Sequence, residues 1–413
     1  MKKKTLVILA VVWMMVIVAI GASALTAILL SRNGSAAVHM VSNDEYAVIS
    51  RYHRLDEVRQ RLMEDYYQPL EEADLIKGAI DGMMATVGDP YTFYYTAQQM
   101  ERSNESASGV YHGVGMLVRL TEDGSMEILR VYEDSPAEQA GLMAGDLLTA
   151  VDGTDVTGLD EQSYQQAISM IGGEDGTTVR LTVRRGDEIL DFDVRRAVVT
   201  VKYVEWYPLD GDLGYIRISQ FTGSAGRDFR AALEAMEDAD VRGIVVDLRD
   251  NPGGNLDVVV DISDAVLPEG IITTIEDRHG TVSEERSSPE HWDIPMAVLI
   301  NGNSASGSEL FSAAVQDYGR GIIIGEQSFG KGIVQTVTTF PEDGAGMQYT
   351  TAAYYTPNGR SIHGSGVTPD VVVEPSEGSA ISQTVPDPET DDQLAEAVAR
   401  LRDMLAEADQ DAA

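Results

Sequence analysis

The sequence predicts an α/β (α+β) chain of several domains, and three observations carry that expectation. With 413 residues and 43% apolar content there is room for two or three ordinary cores. Apolar runs at Leu213 to Ile218, Gly243 to Leu248, Met296 to Ile300 and Gly321 to Ile324 alternate with helical patterns, then give way to strand-rich sequence from Val334 to Tyr355. Ahead of this core lie a segment with helical periodicity and a segment of short strands and many turns. The chain is accordingly divided into 1–32, 33–108, 109–199, 200–375 and 376–413.

In chain order, Met1-Lys2-Lys3-Lys4 is followed by an uncharged stretch from Thr5 to Leu30, long enough to cross a bilayer as a helix. Lysines on the cytoplasmic side put the remainder outside, so a single-pass anchor over residues 5–30 in the cell membrane is expected. Ala22-Ser23-Ala24 is the alternative, a signal-peptidase site. The formal charge of −37 excludes nucleic acid and an anionic lipid surface as partners. No cysteine is present, which excludes disulfides, thiolate metal sites and a cysteine nucleophile.

From Asn43 to about Met100 the pattern is helical, with Tyr46, Ile49, Tyr52, Leu55, Val58 and Leu62 near a 3.6-residue period. Next come Gly113-Val114-Gly115-Met116, Ser135-Pro136-Ala137 and Gly145 to Gly153, with a helix expected from Glu161 to Ile171. In the core, a helix from about Ser224 to Ala239 joins the first two strands, and the second runs into Arg249-Asp250-Asn251-Pro252-Gly253-Gly254. Ser376 to Pro388 reads as a linker. Beyond it Leu394, Val398, Leu401 and Leu405 share one helical face, suited to docking on the core or on a second subunit.

The chemistry is concentrated in two turns. Asn301-Gly302-Asn303-Ser304-Ala305-Ser306-Gly307-Ser308-Glu309 leads from a strand into a helix, and Gly325-Glu326-Gln327-Ser328-Phe329-Gly330-Lys331-Gly332 follows another strand. A serine that attacks a carbonyl needs a base and donors for the oxyanion. Lysine serves as that base once burial lowers its pKa toward neutrality. Phe329, Ile333 and Val334 are expected to desolvate Lys331, and Gln335, four residues on, to project from the same strand face. The amide of Gly307 stands where an oxyanion would form. Gly325 to Lys331 imitates a phosphate loop, but Gly332 replaces the required hydroxyl residue and a strand pattern follows. The scattered histidines form no H-E-x-x-H pair, and Asp210-Gly211-Asp212 lacks the later ligands of a calcium loop. No cofactor and no metal are called for.

Together these two turns resemble the carboxyl-terminal processing peptidases, also called tail-specific proteases. The resemblance implies Ser306 as nucleophile, Lys331 as general base 25 residues later, and Gln335 as its orienting partner. It also implies oxyanion donors at Gly307 and Gly253, although the family more often has alanine at the position of Gly307. The 109–199 segment resembles a PDZ domain, inserted before a crotonase/protease-like α/β core, with Gly113, Val114, Gly115 and Met116 as its carboxylate-binding loop. Gly172 stands where that family often carries arginine. Leu75 to Tyr95 resembles the segment that precedes this module in the family, where it serves packing and dimerisation, and no chemistry is assigned to it here. The implied activity is a membrane-anchored serine endopeptidase, a homodimer, that engages protein C-termini. The alternatives are an inert PDZ scaffold and an acyl-transfer enzyme of crotonase type.

Overall fold

The structure, a computed structural model, describes residues 42–411 apart from 122, 210, 383 and 384, together with 13–15 and 18. Most of the expected membrane span, 5–30, therefore lies outside the described residues. Among the described residues no helix is long and apolar enough to cross a membrane. The chain divides into two compact units, 1–80 and 81–413.

In the first unit α1 (Asn43–Asp65) carries the periodic stripe read from the sequence, with Tyr46, Ile49, Tyr52, Leu55 and Val58 exposed on it. Helix α2 (Glu72–Ala85) follows, and Arg59 of α1 pairs with Glu72 at its start.

The second unit continues with β1 (Phe93–Tyr95) and α3 (Ala97–Ser108), then a small β module. That module comprises β2 (Val110–Gly113), β3 (Met116–Leu120), β4 (Met126–Val131), α4 (Pro136–Ala140), β5 (Leu147–Val151), β6 (Thr154–Asp155), α5 (Glu161–Ile171), β7 (Thr178–Arg185), β8 (Glu188–Arg195) and β9 (Ala197–Thr200). Local chemistry sets its helices. Ser135 caps α4 by accepting from Glu138 N–H, Pro136 opens the helix, and Gly141 closes it at φ 92°. Asp160 caps α5 through Ser163 N–H at 2.8 Å. The sheet runs in the order β3-β4-β5-β7-β8, antiparallel throughout, so β3 is an edge with α5 beside it. Strands β2 and β9 pair with each other at the junction with the core.

The core contains β10 (Val204–Pro208), β11 (Leu213–Ile218), α6 (Ala225–Asp238), β12 (Gly243–Asp247), α7 (Leu256–Asp264), β13 (Gly270–Asp277), β14 (Val282–Ser287), β15 (Met296–Ile300), α8 (Gly307–Asp317), β16 (Ile322–Gly325), β17 (Ile333–Thr339), β18 (Gly346–Tyr355), β19 (Val371–Val372) and α9 (Asp392–Asp411). The central sheet has the order β10-β11-β12-β15-β16-β19 and is parallel from β11 onward. Covered on both faces, its inner strands are predominantly apolar, and every residue of β12 and β15 is buried. Helices α6, α7 and α8 pack on one face. Helix α9 packs on the other through Leu394, Val398, Leu401 and Leu405, so the apolar stripe read from the sequence docks on the core. The parallel strands end together, so the turns after β12, β15 and β16 emerge at one edge of the sheet, where α/β folds place their ligands. A second sheet, β1-β18-β13-β14 with β17 on β18, adds the remaining wall.

Candidate active site

Three serines occupy the turn between β15 and α8, and the fold treats them differently. Ser304 Oγ donates to Leu248 O at 2.8 Å and accepts from Asn301 N–H at 2.9 Å. Ser308 Oγ donates to Asn251 O at 2.9 Å, and both serines are fully buried. Ser306, by contrast, is only partly buried and stands at the start of α8. Its backbone sits at φ 54°, ψ −109°, a conformation that costs a serine on the order of 1–3 kcal/mol and persists only when the surroundings hold it.

The holding group is Glu309, buried in the first turn of α8. One oxygen accepts from Ser306 N–H at 2.8 Å and from Lys331 N–H at 2.8 Å. The other accepts from Ser328 Oγ at 2.5 Å and Gly330 N–H at 2.6 Å. A single carboxylate thus clamps the serine turn to the lysine turn. Tyr354 Oη reaches the same two turns from β18, donating toward Ser306 O and Lys331 O.

The loop after β12 forms the opposite wall. Gly253 lies so close that a Cβ added to it would stand 2.7 Å from Gly307 N, at a φ of 100° that favours glycine. Its own N–H, however, donates to Asn251 Oδ1 at 2.8 Å, so the amide expected to serve an oxyanion is engaged within its own turn. The Gly307 N–H donates to nothing among the described residues. A Cβ on Gly307 would meet Val259 Cγ2 at 2.6 Å, a steric reason for glycine where the family more often has alanine. Asn251 also holds the loop to the neighbouring strand through Nδ2 to Ile218 O at 2.7 Å, while its carbonyl receives Ala305 N–H.

From the other face, the buried Arg249 guanidinium joins Asp247 to Asp391 just ahead of α9, with Nη2 at 2.5 Å and 2.7 Å from their carboxylates. Burial alone would raise the Asp247 carboxyl, but the charge and hydrogen bonds of Arg249 hold it below the usual carboxylate range.

On the lysine side the structure corrects one expectation. Phe329 is 57% exposed and does not bury Lys331. The apolar surface over the amine comes instead from Tyr91, whose ring centroid lies 4.5 Å from Lys331 Nζ. Burial pushes the lysine pKa below its ordinary value, with Asp89 and then Glu309 opposing the shift. Opposite Val334 and Gln335 the register shifts by one residue, with Thr351 of β18 left between their partners, and Gln335 Nε2 makes only long contacts, 3.4 Å to Ile333 O and 3.5 Å to Thr350 Oγ1. Among the described residues no hydrogen bond joins Lys331 Nζ to Ser306 or Gln335. All three nevertheless line one cleft of about 590 Å³, together with Gly253 and Gly307.

A second cleft, of about 600 Å³, lies between β3 and α5 and is lined by Gly113, Val114, Gly115 and Met116. Gly115 sits at φ 84°, and a Cβ there would stand 2.2 Å from Ser135 Cβ. Tyr164 of α5 donates to Val118 O on the β3 edge at 3.0 Å. Beyond Gly172, Arg196 binds the carbonyls of Met170 and Ile171 at the end of α5.

A model of peptidase family S41 matches residues 212–373, a PDZ domain model matches 127–185, and a model of the activating protease CtpB N-terminal domain matches 15–99. The "Carboxy-terminal-processing protease" of Bartonella bacilliformis is 36% identical over 355 residues, covering 82% of this chain and 78% of that protein. The chain belongs to the carboxyl-terminal processing peptidases. A "Probable CtpA-like serine protease" of Staphylococcus epidermidis is 32% identical over 383 residues, covering 92% of this chain and 76% of that protein. A solved structure from Bacteroides fragilis named "Putative S41 protease" shares the fold at 17% identity and a TM-score of 0.53, over 83% of this chain and 91% of that one. A carboxyl-terminal processing peptidase is a serine-type peptidase acting on peptide or protein substrates, which overturns the inert-scaffold alternative.

Glu309, Asn251, Asp89 and Tyr91 are residues around Ser306, Gly253 and Lys331 that sequence reasoning passed over. The first two had local signals: Ser306-x-x-Glu309 has capping-box spacing, and Asn251-Pro252-Gly253 is an Asx-turn sequence. For Tyr91 the only signal was its presence in a segment to which no chemistry was assigned.

Proposed function

We propose that this chain is a membrane-anchored endopeptidase, facing out of the cytoplasm, that takes protein C-termini into the β3–α5 cleft and cleaves by a Ser306–Lys331 acyl-enzyme mechanism. The observation that carries the reading is the fate of the three serine hydroxyls. Ser304 and Ser308 are bound into the fold, whereas Ser306 faces the cleft that Lys331 shares, at the start of α8.

In this mechanism neutral Lys331 Nζ takes the proton of Ser306 Oγ as that oxygen bonds to the substrate carbonyl carbon. The tetrahedral intermediate collapses, the C–N bond breaks, and the lysine returns its proton to the leaving amine. Water then adds to the acyl-enzyme ester and gives a proton to Lys331, which passes it to Ser306 Oγ as the ester C–O bond breaks, so the serine hydroxyl and the neutral amine are both regenerated. The free amide of Gly307 meets the oxyanion first, and Gly253 contributes once its N–H turns away from Asn251. Gln335 orients the amine after both side chains rotate into the cleft.

The β3 edge and the Gly113 to Met116 loop suit a peptide that adds as a strand and ends in a carboxylate. The exposed apolar stripe of α1 supports a homodimer. The test is cleavage of an unstructured protein ending in a free carboxylate, against the same protein with an amidated end, by wild type and Ser306→Ala. Equal cleavage of both ends would overturn C-terminal recognition, and an active Ser306→Ala would overturn the nucleophile. Sedimentation with membranes after carbonate washing tests the anchor over residues 5–30, and light scattering tests the dimer.

A further inference from the structure

We propose that Tyr91 and Asp89 are positioning residues of the proteolytic site, which hold the Lys331 ammonium at rest and govern the pH at which it is released as a base. The assignment rests on the Ser306–Lys331 reading and adds to it a second set of groups, contributed by the turn ahead of β1. Lys331 Nζ lies over the Tyr91 ring at 4.5 Å from its centroid, inside the roughly 6 Å over which an aromatic face attracts a cation. The ring is itself held. Asp89 Oδ1 accepts from Tyr91 N–H at 2.9 Å, while Oδ2 accepts from Thr92 Oγ1 at 2.7 Å and from Thr350 Oγ1 at 2.5 Å. Thr350 pairs across the sheet with Gln335 and lies 3.5 Å from its Nε2. Asp89, Thr350 and Gln335 therefore form one polar line, anchored on β18.

The charged and titratable groups around Lys331 come from four directions. Asp89 and Tyr91 face it from the turn before β1, and Glu309 from α8. Tyr354 reaches its carbonyl from β18, and His363 lies against Gly332, where an added Cβ would stand 2.7 Å from His363 N. Burial weakens the ammonium, and Asp89 is the foremost group restoring it. The Asp89 carboxyl remains below its usual range because the Thr350, Tyr91 and Thr92 donors outweigh its own burial. A neutral amine has no cation–π attraction, so loss of the proton also frees the side chain from the ring. Deprotonation and the swing toward Ser306 become one event. An ammonium at rest on Tyr91 accounts for the absence of a Lys331–Ser306 hydrogen bond among the described residues without requiring a misformed site.

The experiment is kcat/KM against pH for wild type, Tyr91→Phe, Tyr91→Leu and Asp89→Asn, with Lys331→Arg as control. In parallel, Lys331 is titrated in the Ser306→Ala protein by carbon-13 NMR of reductively methylated lysines, its resonance assigned by Lys331→Arg. Both Tyr91→Leu and Asp89→Asn remove stabilisation of the cation, so the lysine titration and the rising limb of activity shift to lower pH. The expected shift is about half a unit for Tyr91→Leu and about one unit for Asp89→Asn. Tyr91→Phe keeps the aromatic face and the wild-type profile. A variant that is merely less stable loses rate at every pH but does not move the titration. If the limb disappears in Lys331→Arg yet stays in place in Tyr91→Leu and Asp89→Asn, the positioning role is wrong and the base survives. If the limb persists unchanged in Lys331→Arg, the Ser–Lys reading falls and takes this assignment with it.

Discussion

On the serine side of the cleft the groups around Ser306 have short partners: Ser304 to Leu248 at 2.8 Å, Ser308 to Asn251 at 2.9 Å, and the Ser306 amide to Glu309 at 2.8 Å. On the lysine side the backbone is equally pinned, but the functional side chains are not. Lys331 Nζ rests on a ring, and Gln335 has contacts of 3.4 Å and 3.5 Å alone. Organisation in advance is concentrated where the nucleophile attacks and negative charge develops, because a donor fixed beforehand needs no reorganisation during reaction. The base travels. Catalytic hydrogen bonds are often long in unliganded enzymes and tighten once substrate is bound, and here that tightening falls on the lysine side.

The comparison breaks most severely at the nucleophile. Ser306→Ala is expected to lower kcat/KM by about 10⁴-fold or more with the melting temperature unchanged, whereas Ser304→Ala and Ser308→Ala each remove a buried hydrogen bond and about 1–2 kcal/mol of stability. Calorimetry beside kinetics separates the two patterns, and a dead Ser304 variant with an active Ser306 variant would reverse the assignment.

Next in size is the lysine. Lys331→Arg retains the charge but releases no proton at accessible pH, so it should fall with Lys331→Ala by about 10³-fold. Because burial lowers the native amine pKa and the neutral form is the active one, wild-type activity should rise with pH through that depressed value and then level off. A profile falling over the same range would contradict a lysine base.

Glu309→Gln tests the clamp between the two sides. An amide nitrogen in place of one carboxylate oxygen confronts N–H donors with another donor, so activity should drop by roughly 10- to 100-fold and stability by about 2–3 kcal/mol. A larger loss in Glu309→Asp than in Glu309→Gln would indicate that reach, not acceptor number, is what the site requires.

The smallest effect is expected at Gln335, whose existing contacts are long. Gln335→Ala should lower kcat by no more than about tenfold while leaving stability within roughly 0.5 kcal/mol. A loss as large as that of Lys331→Arg would show that the amide is already indispensable to the base, and the two sides would then be equally dependent on fixed side chains.

Much of this architecture was legible in residue order. The apolar runs of β12 and β15, alternating with helical patterns, signalled an α/β core, and the stripe of Leu394, Val398, Leu401 and Leu405 signalled a helix that docks by one face, because burial and period are local properties that sequence records directly. The two turns that follow β15 and β16 were legible for the same reason. Tertiary structure decided which serine faces the cleft, since Leu248 and Asn251 engage the other two hydroxyls from a different strand end. It engaged the Gly253 amide with Asn251, and it shifted the register of β18 against Val334 and Gln335, which no period announces. It also brought Asp89 to Thr350, 261 residues away, and with it the Tyr91 ring to the lysine. A pattern of residue types reports which face of an element is buried; which distant donor or ring meets a given side chain is settled only when the elements pack.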